Sequence, residues 1–308
     1  MENRRAAWAA LWVVYVLWGS TYLANRFIIV DVPPLLAGGY RFLVGGALLA
    51  AVVAGVAGRR AFRMTRAQLG TTALSGLLLP AWGNGVVTLG QQQVSSGLAA
   101  LLIAAVPLYI VVLRALTGDR PGVRTVVGVG VGVVGLVLLL LTGSSGSGGT
   151  EGSAWWGAPL VLLAGLGWAT GTFATTRLPV PANPFALAAV QMLVGGAVLL
   201  AVSTVKGDRL DVAAVSASAW WAWAYMAVVV SLGAFSAYAY ALASLPVSTV
   251  ATYAYVNPVI AVLLGVTVAG ETFSPLQIVG GAVVLGAVVL VVAAGRRERR
   301  TAVAASVP

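Results

Sequence analysis

The apolar residues of this chain neither alternate nor gather on one helical face. They run in blocks of roughly twenty residues, the length a helix needs to cross about 30 Å of hydrocarbon. Ten blocks predict ten membrane-spanning helices, over residues 7–28, 34–57, 68–90, 94–117, 123–142, 154–176, 183–205, 219–243, 247–269 and 275–294. Polar and helix-breaking residues separate them. Pro33-Pro34 divides the first two, Arg59, Arg60, Arg63 and Arg66 lie between the second and third, and Asp119-Arg120-Pro121-Gly122 ends the fourth. The Gly/Ser-rich stretch 143–153 reads as a flexible linker. Ser274, Pro275 and Gln277 spell the N-cap, first helical position and capping box of the last helix. Arg4-Arg5 and the apolar run behind them have the outline of a secretion signal, but the nine blocks that follow favour a first membrane helix.

The pattern occurs twice. A shift of 150 residues lays Trp18-Gly19-Ser20-Thr21-Tyr22 on Trp168-Ala169-Thr170-Gly171-Thr172, Pro34 on Pro184, and Leu43-Val44-Gly45-Gly46-Ala47 on Leu193-Val194-Gly195-Gly196-Ala197. A shift of 151 lays Pro107 on Pro258, and one further residue lays Asp119 on Glu271. The chain therefore divides into a five-helix half over 7–142, the linker, a second half over 154–294 and a basic tail over 295–308. An odd number of spans per half forces the halves into opposite orientations. The expected fold is an all-α membrane protein with an inverted 5+5 repeat, the plan in which solute binds near the midplane between halves.

Composition supports this and removes alternatives. The chain is 60% apolar and only 8% charged, against about a quarter charged in soluble domains. Its net charge of +10 would suggest nucleic acid, but the arginines sit in the gaps between blocks, where they act as topology signals. With the N-terminus in the cytoplasm, the cytoplasmic segments hold fourteen of them: Arg4, Arg5, Arg59, Arg60, Arg63, Arg66, Arg114, Arg120, Arg124, Arg177, Arg296, Arg297, Arg299 and Arg300. The outer side holds three cations, Arg26, Lys206 and Arg209. Both termini are thus expected in the cytoplasm of a plasma (bacterial inner) membrane. There is no cysteine and no histidine, the eight acids are scattered, and no phosphate-binding loop is present. No metal, cofactor, nucleic-acid partner or catalytic residue is expected, and the protein is not expected to be an enzyme.

A few residues do not suit lipid. Arg41 lies about seven residues into the second span, either as an anchor for an anionic or carboxylate-bearing solute or paired locally, with Asp31 the nearest acid. Arg26 reads as an interfacial anchor. Asn84 between glycines in the third span, and Asn257 before Pro258 in the ninth, can touch substrate or satisfy backbone. Gln91, Gln92 and Gln93 are expected at the outer surface. Tyr253 and Tyr255 lie about 200° apart on a helix, so one at most faces a given cavity. Pro107 and Pro258 supply matching kinks as gating hinges. Glu271 is expected to favour the dipole of the following helix, with proton coupling as its functional alternative. Gly128, Gly132 and Gly135 make a small-residue stripe for packing on the tenth helix or on a second subunit. Monomer and homodimer both remain open.

Trp18-Gly19-Ser20-Thr21-Tyr22, Pro34 with Arg41-Phe42, Gly83-Asn84-Gly85, Ser96-Gly97-Leu98-Ala99-Ala100, Pro107, Tyr253 to Pro258 and Gly270-Glu271-Thr272 resemble the EamA family of the drug/metabolite transporter superfamily. The resemblance runs from about residue 8 to 294, in both halves. It implies ten helices, an inverted repeat and export of metabolites such as amino acids, or of small organic drugs. It also implies a cavity lined mainly by helices 1, 3, 4, 6, 8 and 9, which puts Trp18, Tyr22, Asn84, Trp168, Tyr238 and Asn257 within reach of substrate. Where exporters of this kind carry charged or titratable groups, this chain has Gln91 and Gln92. The expected activity is secondary export. A channel-like facilitator and a non-transporting scaffold or sensor are the alternatives.

Overall fold

The computed structural model describes residues 2–142 and 155–305; the expected linker lies outside the described residues. We label the membrane helices α1 (Arg4–Ile29), α2 (Pro34–Val56), α3 (Arg66–Gly90), α4 (Ser96–Leu116), α5 (Val123–Leu141), α6 (Gly157–Arg177), α7 (Pro184–Lys206), α8 (Ala217–Tyr238), α9 (Tyr253–Ala269) and α10 (Pro275–Gly295). Nine are long and apolar enough to cross a bilayer, and α9 is a shorter apolar helix. The ninth helix does not begin at 247 as expected. A separate turn, Val247–Val250, comes first, and the chain breaks at Ala251-Thr252. No strand occurs among the described residues.

The helix starts follow their local chemistry. Thr65 and Gln68 form a reciprocal capping box at α3, and the hydroxyl of Ser95 accepts from the Leu98 amide at α4. Asn183 Oδ1 accepts from two amides at α7. The expected Ser274–Gln277 box is present at α10. Each cap satisfies amides that would otherwise lack a partner.

Tertiary packing follows a two-fold relation that exchanges each helix with the one five places on. The helices α2 and α7 pack on each other, as do α5 and α10, and α4 and α9. The remaining contacts come in related couples: α1 with α8 and α6 with α3, α1 with α9 and α6 with α4, α2 with α8 and α7 with α3. The glycine stripe on α5 faces α10, where Cβ atoms at Gly128 and Gly135 would meet Val291 and Val284. Val126, Val127, Val133, Val134 and Val137 of α5 remain exposed, as suits a lipid-facing side.

The pattern of apolar positions does not announce one shared distortion. Leu77–Asn84 in α3 and Tyr225–Ala234 in α8 are π-helical, and the repeat shift carries the first onto the second. In α3, Pro80 lies within the segment and removes one backbone donor from the ladder. Such π segments widen a helix and recur at functional sites.

Candidate functional site

Three residues singled out by the sequence meet at the junction of α1, α8 and α9. The Trp18 ring lies 5.2 Å from that of Tyr238 and 5.0 Å from that of Tyr253, and the two tyrosine rings lie 5.8 Å apart. Trp18 pairs edge-on with Tyr253, and the two tyrosines do the same, the geometry preferred by ring quadrupoles. Polar groups border the cluster. Tyr15 Oη and Thr252 Oγ1 share a hydrogen bond, and Ser20 Oγ lies 2.6 Å from Tyr225 Oη, on the π segment of α8. The flat faces and hydroxyls of this cluster suit a small solute with an apolar body.

The other candidates lie elsewhere. Tyr22 and Tyr255 pack on a separate core between α4, α5, α6 and α10. Trp168, the repeat counterpart of Trp18, lies against α3, where a Cβ added at Gly83 would come within 2.8 Å of its ring. Asn84 donates to the Leu79 carbonyl five residues back, at 3.3 Å, a bond local to the π segment. Asn257 Oδ1 is buried without a partner. The expected kinks also differ between halves. In α4 the helix breaks at Ala104-Ala105 and resumes at Val106-Pro107. In α9 Pro258 lies inside a continuous helix, and the break falls before Tyr253.

Arg41 is not paired with Asp31, whose carboxylate instead accepts from the Ser216 amide and hydroxyl. Only 8% of Arg41 is exposed, and its Nε has no partner. It borders a cleft lined by Asn25, Asn84 and Thr88.

A different ion network sits at each end of the bundle. At one end, Glu271 is fully buried. Its Oε1 accepts from Arg26 Nη1 at 2.6 Å, from the Ser96 amide at 2.8 Å and from the Ser96 hydroxyl at 2.7 Å. Its Oε2 accepts from the Gly97 amide at 3.0 Å. Glu271 therefore neutralises the N-terminus of α4, not that of α10, and Arg26 is an ion-pair partner rather than an interfacial anchor. Spatial neighbours decide both, and no local sequence signal reports them. Gln91 is also buried rather than at the surface. It accepts from Asn25 Nδ2 and donates to the Tyr22 carbonyl, tying α3 to α1.

At the other end, Asp119 Oδ2 accepts from Arg114 Nε at 2.8 Å and from Arg177 Nη2 at 3.2 Å. About a third of the Asp119 side chain is exposed. The hydrogen bond from Arg114, followed by the charges of Arg114 and Arg177, holds its carboxyl below the usual carboxylate range. The two ends are related. Asp119 is the repeat counterpart of Glu271, and a shift of 151 carries Arg26 onto Arg177. Glu271 grips the first turn of the opposite half's helix, whereas Asp119 bonds only to arginines.

Two inverted five-helix halves, apolar outside and carrying aromatic and polar groups between them, define an inverted-repeat membrane transport protein. The EamA-like transporter family model matches residues 6–141 and again 155–293, once per half. The chain belongs to that family. It is 37% identical over 284 residues to the Escherichia coli K12 protein named as the uncharacterized inner membrane transporter YedA, covering 92% of this chain and 89% of that one. It is 27% identical to a chloroplastic WAT1-related protein of Arabidopsis thaliana, over 94% of this chain and 70% of that one. A solved structure titled only as the crystal structure of a protein shares the fold. It has a TM-score of 0.62 at 21% identity, covering 94% of this chain and 97% of that one.

Proposed function

We propose that this protein is a secondary exporter of small metabolites, such as amino acids or related compounds, or of small organic drugs. It works by alternating access in the inner membrane and catalyses no chemical reaction. The observation that carries this reading is the unequal state of its two repeat-related ion sites. Val94-Ser95-Ser96 at the start of α4 matches Val247-Ser248-Thr249 before α9 at a shift of 153, two residues beyond the shift that lays Pro107 on Pro258. The amides of Thr249 and Val250 thus correspond to those of Ser96 and Gly97, which Glu271 holds. Asp119 holds neither of them here.

One locked end and one slack end are what a single state of a two-state carrier would present. In the other state Asp119 docks on the first turn before α9 while Glu271 releases α4. The arginine distribution argues for the Asp119 end and both termini on the cytoplasmic side, so this conformation faces inward. Because the Asp119 pKa lies below its unfolded value of about 3.9, its pairing is complete above that pH and is lost only as pH falls through the folded pKa. The driving energy comes from the solute gradient or an ion gradient, and the aromatic cluster receives the apolar part of the solute.

Counterflow in proteoliposomes, with a panel of amino acids and small organic cations, tests the reading. Saturable exchange is expected for the native chain. In Trp18→Ala it should be about 5- to 150-fold weaker, the equivalent of losing two ring contacts of about 0.5–1.5 kcal/mol each. Flux that rises without saturation would favour a channel-like facilitator and sink the carrier.

A further inference from the structure

The repeat supplies an internal control for Arg41. A shift of 150 lays Arg41 of α2 on Gln191 of α7. Gln191 is satisfied: its Nε2 donates to Ser75 Oγ of α3 at 2.7 Å. Arg41 has no equivalent bond. Its Nε is buried and unpartnered, and among the described residues no carboxylate forms an ion pair with it. Its one close charge-related contact is with the neighbouring Phe42 ring, 4.7 Å from the guanidinium carbon. A cation about 10 Å along a membrane helix costs several kcal/mol unless something pairs with it. The half that needs only packing uses a neutral glutamine at this register, while the other keeps a charge with nothing to meet it.

The surroundings indicate what is missing. Asn25 on α1, Asn84 and Thr88 on α3, and Gly38 and Gly85 line the cleft beside Arg41. The guanidinium is the free donor of the set; Asn25 and Asn84 each give one amide hydrogen away, to Gln91 and to the Leu79 carbonyl, and keep a second, while the Thr88 hydroxyl donates to the Gly85 carbonyl and Leu199 packs beside Gly38 and Gly85. None of the lining residues is acidic. Trp18 lies seven residues before Asn25 on the same helix, about 10 Å further along it. An acid group held at Arg41 would leave an attached apolar body of that length pointing along α1 toward the aromatic cluster.

We propose that Arg41, with the second amide hydrogens of Asn25 and Asn84, forms an oxyanion subsite that takes the carboxylate of the transported solute. This rests on the transport reading and narrows its substrate class to carboxylate-bearing compounds. A free inorganic anion or a lipid phosphate presents similar oxygens, so the test separates the three sources.

Thermal unfolding of the purified chain in dodecyl maltoside and phosphate-free buffer supplies a readout that needs no transport. The probes are 3-phenylpropanoate, its neutral amide, inorganic phosphate, and phosphatidylglycerol added to the micelles. The carboxylate is expected to raise Tm saturably, and the amide is not. Arg41→Gln, which installs the residue found at this register in the other half, should weaken the carboxylate response by about 10- to 100-fold, as loss of a charge-assisted bond does. Asn84→Asp places a carboxylate inside the cleft, so it should abolish the response in a chain that still folds. A response equal for acid and amide, or one that survives in both variants, overturns the subsite. Stabilisation by phosphate or phosphatidylglycerol but not by 3-phenylpropanoate overturns its assignment to solute. Failure here leaves saturable counterflow intact, whereas a pore would fail counterflow whatever Arg41 binds.

Discussion

Glu271→Gln is expected to shift the balance between the two conformations by about 10- to 100-fold toward the one open at the Glu271 end. The glutamine keeps the shape and one acceptor oxygen. It loses the charge that meets Arg26 and the first amides of α4, and its amide nitrogen faces donors at one of the two positions. Hydrogen bonds to charged groups contribute about 1.5–3 kcal/mol each. In the proposed two-state cycle these bonds exist only while this end is closed, so their loss falls on one state. Complete removal in Glu271→Ala should cost more, toward about 3 kcal/mol and above, because it strands Arg26 and two amides. Arg26→Ala should cost less, since Arg26 is 25% exposed and water screens its charge. The chain contains no cysteine, so single cysteines report without background. Thr88→Cys sits buried near the closed end, and Thr249→Cys sits within the turn Val247–Val250 before α9. In Glu271→Gln, labelling of the first by an impermeant maleimide should rise and labelling of the second should fall. Asp119→Asn should leave the closed end of this conformation intact and hinder the opposite one. Unchanged labelling at both positions in both variants would mean that these networks are static braces.

The residues that make this experiment conceivable are partly legible in the sequence. The repeat register alone pairs Asp119 with Glu271, because an inverted duplication preserves spacing along the chain. The aromatic candidates Trp18, Tyr238 and Tyr253 are legible only in part, since α1 and α8 carry several other rings, and it is the fold that brings those three together. Their use by a solute is for the counterflow experiment to decide. The partners of Glu271 are not legible. Arg26 lies 245 residues away in sequence, and the α4 amides lie 174 and 175 away. Along the chain only the adjacent α10 is in view, which is why the carboxylate is expected at that dipole. Gln91 defeats expectation for a related reason. A glutamine at a span end reads as a surface residue, and only the arrival of Tyr22 and Asn25 from α1 makes it a buried link. The π segments leave one trace, the alignment of Gly83 with Gly233, but a changed ladder depends on backbone hydrogen bonds that side-chain pattern does not report.

Gly196→Leu should damage folding itself, by about 3 kcal/mol or more, without favouring either conformation. The twin Leu-Val-Gly-Gly-Ala motifs build the crossing of α2 on α7, and each glycine has a task that its counterpart repeats. A Cβ at Gly196 would stand 2.9 Å from the Gly39 carbonyl and 2.9 Å from the Leu43 amide. A Cβ at Gly46 would stand 3.0 Å from Met192 Cβ and 3.1 Å from the Ala189 carbonyl. The first glycines of each pair seat the π segments: a Cβ at Gly45 would meet Ser231 of α8, and one at Gly195 would meet Pro80 of α3. Backbone cannot step aside as a side chain can, so Gly196→Leu must separate two helices from opposite halves. Gly46→Leu meets partly side chain and should cost less. Gly55→Leu, with nothing within 4 Å of its added Cβ, serves as the control on α2. Tm and the recovered folded fraction in detergent should fall for Gly196→Leu and hold for Gly55→Leu. If the halves rock about this crossing, the contact is common to both states, and its loss lowers both. The ratio of Thr88→Cys to Thr249→Cys labelling in the surviving folded fraction should then match the native ratio. A shift of that ratio as large as the one expected from Glu271→Gln would show that the α2–α7 crossing itself rearranges, and would move the pivot to the α5–α10 pair.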